Sequence, residues 1–415
     1  MIREISILTV VIVVLYFLIK KRRFDFLTIY CFSSLIYYLP LFFGKALLVV
    51  SSNNYKEYKL SNYFYLIIFL NFILLLFWTY IYDTYIQKKE KIKKIKIYKK
   101  KEKIMFICLL ILIMILFFIT IKENFNIIFS KKYIAKQELL ENGSRATTFF
   151  KQGMVYLTIY YFILRKYLKN NFYSIVILLL NIFTIIFLVH RSYTVIAIIA
   201  CFYFYQYEDS KILLKNMRVI SLGIIFFLIV SISKKIITPL KLGLYDLVIE
   251  RLTNITYITN SILQGEQSVT SIILNQVLIN DYKIYYETYM GIISNFMIYS
   301  NVFFKFRSFS SIFQPVLFPF INYGMGSSFI AEAYSNGGIF FTISILNILF
   351  IVLIFTNNAL LKNKKVNNKI IFLIIGVYLS FYIHRNNLGQ IITFLKRYLI
   401  FYLFVLIVSK IKWRE

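Results

Sequence analysis

Residues 88–121 read KKEKIKKIKIYKKKEKIMFICLLILIMILFFITI, a lysine-rich block followed at once by a continuous apolar run. The run from 104 to 121 approaches the roughly 20 apolar residues at which a helix crosses a bilayer. The block from Lys88 to Lys103 contains ten lysines and reads as a segment held against anionic cytoplasmic lipid. The same alternation of apolar run and basic block recurs along the chain, and it decides the fold. A β-barrel would show short segments of alternating polarity, whereas these runs are continuous and rich in Ile, Leu and Phe.

Composition agrees. The chain has 415 residues, 60% hydrophobic and 19% aromatic, with mean hydropathy +0.71, too little polar surface for a soluble globule. Its formal charge of +30 is parcelled into short blocks between apolar runs, so it reads as a topology signal and not as a nucleic-acid footprint. Cys31, Cys108 and Cys201 each fall in an apolar run without CxxC spacing, which implies neither a disulfide nor structural zinc. The first run ends in Lys20-Lys21-Arg22-Arg23 and is expected to be a retained helix, not a signal peptide.

The expected architecture is an all-α polytopic membrane protein with about eleven spans, near 4–19, 24–43, 62–82, 104–121, 147–164, 171–189, 192–207, 219–236, 328–356, 370–383 and 388–409. If Lys20–Arg23 is cytoplasmic, alternation places every short basic cluster on that side, with the amino terminus outside and the carboxyl terminus inside. The chain then divides into a bundle over 1–236, a long outer loop over 237–327 and a second bundle over 328–415. A structureless loop of that length is uncommon, so it should contain helices. Leu244, Val248, Leu252, Ile255, Ile258 and Ile262 recur at helical spacing and suggest one lying on the membrane surface. Tyr and Phe crowd residues 282–323, suited either to stacking on sugar rings or to anchoring at the lipid interface.

The two histidines, His190 and His384, are each followed by arginine at the outer end of an apolar run. An ionisable group at membrane depth is a functional candidate, although helix-end charges of no special role would look the same. Arg145, Arg191, Arg251, Arg307 and Arg385 all fall on the outer face. A guanidinium fork binds phosphate oxygens bidentately, and pairing with lipid head groups is the competing use. Lys396 and Arg397, mid-run in the last span, either line a wet cavity or move the start of that span. Between Gly324 and Gly338, glycines bracket Glu332: Gly324 and Gly326 permit close backbone approach, and Ser327 or Ser328 suits an N-cap. Glu332 is then either a reacting carboxylate or a helix-dipole partner. No metal-ligand cluster, Asp-x-Asp or Gly-x-x-x-x-Gly-Lys loop occurs, so neither a metal nor a nucleotide cofactor is expected. An outward cavity with arginines, histidines and a carboxylate suits transfer from a phosphate-activated, lipid-borne donor.

The segment Gly326-Ser-Ser-Phe-Ile-Ala-Glu332-Ala-Tyr334-Ser-Asn336-Gly337-Gly338 resembles the glycine, serine, glutamate, tyrosine and glycine pattern of the Wzy-type O-antigen and capsule repeat-unit polymerases of bacteria. The span count and the long outer loop in the second half resemble that family too. Arg191 resembles a family arginine that usually follows Gly-x, whereas His190 precedes it here, and Arg385 resembles a second family arginine before the last span. The resemblance implies a metal-independent GT-C type glycosyltransferase in the bacterial cytoplasmic (inner) membrane, with its active site facing outward. It implies undecaprenyl-diphosphate-linked glycans as donor and acceptor, with Tyr334 at the substrate, and membrane lipids, a chain-length regulator and a flippase as partners. In that reaction Arg191 and Arg385, with Arg145 or Arg251, would stabilise the diphosphate leaving group, and His190, His384 or Glu332 would take the acceptor proton. An O-antigen ligase of the same fold, a lipid-linked oligosaccharide flippase and a membrane acyltransferase are the rival readings.

Overall fold

The computed structural model describes residues 1–20, 24–49, 55–86, 97–128, 144–168, 171–186, 188, 191–208, 245–253, 266–296, 307–321 and 324–411. Helices dominate. In chain order they are α1 (Ile2–Ile19), α2 (Phe26–Tyr37), α3 (Pro40–Phe43), α4 (Asn62–Ile81), α5 (Lys99–Ile128), α6 (Arg145–Leu164), α7 (Asn171–Ile186) and α8 (Arg191–Glu208). The series continues with α9 (Tyr245–Thr253), α10 (Glu266–Ile279), α11 (Glu287–Phe296), α12 (Phe309–Leu317), α13 (Phe329–Lys362), α14 (Val366–Ser380) and α15 (Leu388–Lys410). The chain is a membrane-embedded helical protein. Among the described residues, five helices are long and apolar enough to cross a bilayer: α1, α4 with its π-helical extension to Ile86, α5, α13 and α15. Shorter apolar helices coincide with α2, α7, α8, α10 and α14. The run 219–236 lies outside the described residues.

Local chemistry explains the helix starts. Asp25 caps α2 by accepting from the Thr28 N–H at 2.8 Å, Ser61 caps α4 through Phe64 N at 3.2 Å, and Ser144 caps α6 through Thr147 N at 3.2 Å. One element departs from an all-helical reading. Lys45–Val49 and Tyr55–Lys59 form an antiparallel hairpin, β1 and β2, with Lys45 opposite Lys59. Four helices, α9 to α12, occupy the described parts of the stretch read from sequence as one long loop.

The chain forms two compact units. The first comprises Met1–Lys88, Ser210–Ile354 and Leu379–Ile392. Its helices are tied by polar bonds: Ser6 Oγ donates to Tyr65 O at 2.9 Å, Tyr30 Oη to Asn71 Oδ1 at 2.8 Å, and Trp78 Nε1 to Asn347 Oδ1 at 2.7 Å. Although it falls in the expected outer loop, α10 is a core helix, with Ile272, Ile273, Leu274 and Val277 fully buried. Asn275 on α10 accepts from Ser61 N and donates to Lys59 O, fastening the hairpin to the unit.

The second unit comprises Lys89–Asp209, Phe355–Tyr378 and Thr393–Glu415. In it α5 packs on α6, where Tyr160 Oη donates to Glu102 Oε2 at 2.7 Å. Gly153 lets α6 approach a neighbour closely: a Cβ there would lie 3.0 Å from the Phe401 ring. At 20 residues α6 is long enough to cross a bilayer, yet Lys151 and Gln152 lie buried within it.

Candidate functional site

Two distant segments of the first unit meet around Glu332. The approach to α13 turns at Gly326, whose φ of +84° is left-handed backbone that a glycine adopts without strain. This turn lays Ser327 against the segment before α15, so that Ser327 N donates to Arg385 O at 3.0 Å. A Cβ on Gly326 would stand 3.6 Å from Arg385 Nε, so the arginine stem runs along this turn.

One helical turn into α13, Glu332 is 1% exposed, and its Oε2 accepts from Leu388 N, the first residue of α15, at 2.8 Å. The carboxylate therefore sits at the positive end of α15. Thr288 of α11 brings its hydroxyl to the same carboxylate, and its oxygen accepts from Asn336 Nδ2 at 2.8 Å. α13 is then broken at Gly337 and Gly338, the latter at φ 70°, and a Cβ on Gly337 would collide with Phe341 at 2.7 Å. The break separates the short segment carrying Glu332 from the membrane-length remainder.

Around this carboxylate, Ser327 Oγ, Ser335 Oγ, Asn336 Oδ1, Asn387 Nδ2 and Tyr289 Oη are buried without a hydrogen-bond partner. Buried polar atoms in native proteins are nearly always bonded, so five orphans in one neighbourhood form an unusual set of donors and acceptors.

His384 lies in a 3₁₀ turn, Tyr382–Arg385, one residue from Arg385, and is 2% exposed. The imidazole stacks on Tyr37 at 5.5 Å and contacts the rings of Tyr30 at 4.6 Å and Tyr38 at 6.0 Å. Its Nε2 is 3.4 Å from Ser34 Oγ, and the backbone of Ser380 holds the ring as well. Burial pushes this histidine down to about 3, against which the Ser380 bond acts only weakly, so the ring is neutral at physiological pH.

Tyr334, two residues beyond Glu332, donates to Asp281 Oδ1 at 2.8 Å. Lys283 Nζ also meets Asp281 Oδ1 at 2.8 Å and lies 3.7 Å from the centre of the Tyr334 ring. The Lys283 ammonium and the Tyr334 hydroxyl together hold the exposed Asp281 carboxyl below its usual range. This triad was not legible as a site, because Asp281 and Lys283 look like ordinary loop charges.

Arg145 is exposed at the first position of α6, and Arg191 opens α8, both in the second unit. Arg251 falls within α9. The side chains of Arg191 and Arg251, and His190 altogether, are outside the described residues. Arg307 is exposed, with Nη1 3.9 Å from Glu287 Oε1. Lys396 and Arg397 are half-buried within α15. Among the described residues, no group of three or more His, Cys, Asp and Glu side chains could hold a metal ion. Comparison with protein-family models, with curated proteins and with solved structures gives no match.

Proposed function

We propose that the chain is a GT-C type glycosyltransferase that polymerises undecaprenyl-diphosphate-linked oligosaccharide repeat units at the outer face of the bacterial cytoplasmic membrane. The observation that carries this reading is the meeting of the segments that carry Glu332 and Arg385, through the Glu332 bond to Leu388 N and the Gly326 turn laid against Arg385, beside buried hydroxyl and amide atoms without a hydrogen-bond partner. Sugar hydroxyls both donate and accept, and such atoms suit them.

In the reaction, the anomeric C–O bond to the diphosphate breaks and its electron pair leaves with the phosphate oxygen. Arg385 meets that developing charge with a planar fork of N–H donors. A hydroxyl oxygen of the acceptor glycan forms the new bond to the anomeric carbon, and its proton passes to the Glu332 carboxylate. Glu332 is preferred over His384 as base. The imidazole is enclosed by three tyrosines, and burial has made it a weak proton acceptor. His384 instead positions Arg385, its neighbour in the same turn.

The test supplies purified full-length protein with a lipid-linked repeat unit and follows product length on a gel, with and without EDTA. Extension that persists in EDTA is expected, because the guanidinium supplies the countercharge. Loss of extension restored by Mg²⁺ would count against the mechanism. Deleting the gene should leave single-repeat surface glycan. Accumulated lipid-linked polymer would point to a ligase, and the absence of any exported glycan to a flippase.

A further inference from the structure

A transferase of this kind must hold sugar residues beyond the one that reacts, and one loop of the first unit has the chemistry for it. Residues 280–286 connect α10 to α11, and they hold all three described non-glycine residues with left-handed backbone: Asp281 at φ 40°, Tyr285 at φ 42° and Tyr286 at φ 68°. Aspartate tolerates this region because its short side chain can bond locally, whereas two successive tyrosines are strained there. Burial does not repay that strain, since Tyr285 is 80% and Tyr286 50% exposed. Backbone strain that persists in a well-tied segment is a mark of function.

The loop is well tied. Ile284 N donates to Ser335 O at 2.8 Å, and Tyr282 Oη donates to Ile312 O at 3.3 Å. Lys283 Nζ and Tyr334 Oη each lie 2.8 Å from the same oxygen, Asp281 Oδ1. These bonds join the loop to α12 and to the short segment of α13 that carries Glu332, all within the first unit. Tyr334 and Glu332, two residues apart on that segment, are separated by about 5 Å at the backbone, roughly one sugar residue.

The glycine break in α13 gathers the rest. Lys283 Nζ stands 3.7 Å from where a Cβ on Gly338 would be, and the neighbouring Gly337 is pressed against Phe341. On Phe341 the Tyr286 ring rests edge-on, with centroids 5.4 Å apart, and leaves half of its surface open.

The open atoms match a sugar. Asp281 Oδ2 accepts no hydrogen bond among the described residues, and its side chain is 69% exposed. The Lys283 ammonium has three N–H donors, of which Asp281 takes one. An acceptor and a donor fixed side by side suit two neighbouring hydroxyls, one donating to Oδ2 and the next accepting from Nζ. Their opposite charges cancel, which favours an uncharged ring. The Tyr286 ring adds a flat apolar surface for the C–H face of that ring. Anchoring at the lipid interface, the competing use of tyrosine, needs neither the ion pair nor the strained backbone.

We propose that Asp281, Lys283 and the Tyr286 ring form a subsite for one uncharged sugar residue of the glycan substrate, beside the Glu332 centre. The identity of that substrate rests on the transferase reading.

The test uses oligosaccharides of one repeat length, cut by mild acid from the organism's purified surface glycan. They are titrated into full-length protein in nanodiscs, and Kd, thermal midpoint and chain extension are measured on the same preparations. Asp281→Asn should weaken binding about 5-fold, the difference between a charge-assisted and a neutral hydrogen bond. Tyr286→Asn should weaken it about 2- to 10-fold through lost stacking, and Tyr286→Phe should bind as the wild type does. Asparagine accepts left-handed backbone and an exposed ion pair adds little stability, so both Asn variants should melt near the wild-type midpoint. A midpoint that falls in step with binding would make these residues structural and overturn the subsite. So would wild-type binding in both Asn variants, or no binding by the wild type. A lowered midpoint in Tyr286→Asn with unchanged binding would make the ring a lipid anchor instead. A wild type that binds the oligosaccharide, with binding weakened in both Asn variants, but does not extend chains would refute the polymerase and keep the subsite.

Discussion

Glu332→Gln separates two roles that the structure gives to one side chain. Glutamine retains a carbonyl oxygen where Glu332 Oε2 accepts from Leu388 N at 2.8 Å, so the tie to the start of α15 survives. What is lost is the charge, and with it the difference between a charge-assisted and a neutral hydrogen bond, about 1 kcal/mol. Glu332→Ala removes the acceptor altogether. The Leu388 N–H is then left without its partner at a cost of about 1–3 kcal/mol, and a side chain 1% exposed leaves a cavity that adds to the loss. On catalysis the expected order differs, because a missing general base slows transfer about 10²- to 10⁴-fold whether or not the fold is intact. Both variants should therefore be slow, while only Glu332→Ala has a strongly lowered thermal midpoint. Initial rates of chain extension and melting in detergent, measured on the same preparations, provide the comparison. A Gln variant that extends chains at the wild-type rate would refute the assignment of Glu332 as base and leave it a cap for α15.

Arg385→Lys should slow extension about 10- to 100-fold at normal protein levels, because lysine keeps the charge and loses the fork; wild-type rate and product length would exclude a diphosphate clamp. Gly326→Ala should lower the thermal midpoint by the equivalent of about 1–2 kcal/mol. Its φ is +84°, while the new Cβ meets Arg385 only at ordinary contact distance, so the cost is in the backbone. An unchanged midpoint would show that the turn relaxes freely. Stability should also depend on pH through His384. Its folded value, about 3, is below the ordinary 6.5, so its contribution is complete above pH 6.5 and is lost as pH falls towards 3. The slope is at most about 1.4 kcal/mol per pH unit, or about 2 kcal/mol by pH 5. The drop in midpoint from pH 7.5 to pH 5 should be smaller in His384→Gln than in the wild type, and equal drops would refute the buried neutral ring.

The helices were legible because they are local. An apolar run such as 104–121 makes a membrane helix wherever it is placed, and α5 extends over Lys99–Ile128. The Gly337-Gly338 pair and the serine caps also act within a few residues. The hairpin was signalled more weakly: Ser51-Ser52-Asn53-Asn54 is turn chemistry, and Tyr55-Lys-Glu-Tyr-Lys59 lacks helical spacing. Periodicity counts positions along one element and carries no information on which elements meet. That Glu332 caps α15, and that three tyrosines enclose His384, depends on the packing of α2, α13 and the turn before α15. Lys151 shows the same limit most plainly. In sequence it is a lysine six residues into a helix, within reach of the interface if its side chain turns outward. Packing turned it inward, and only burial distinguishes a solvated charge from an unpaired one.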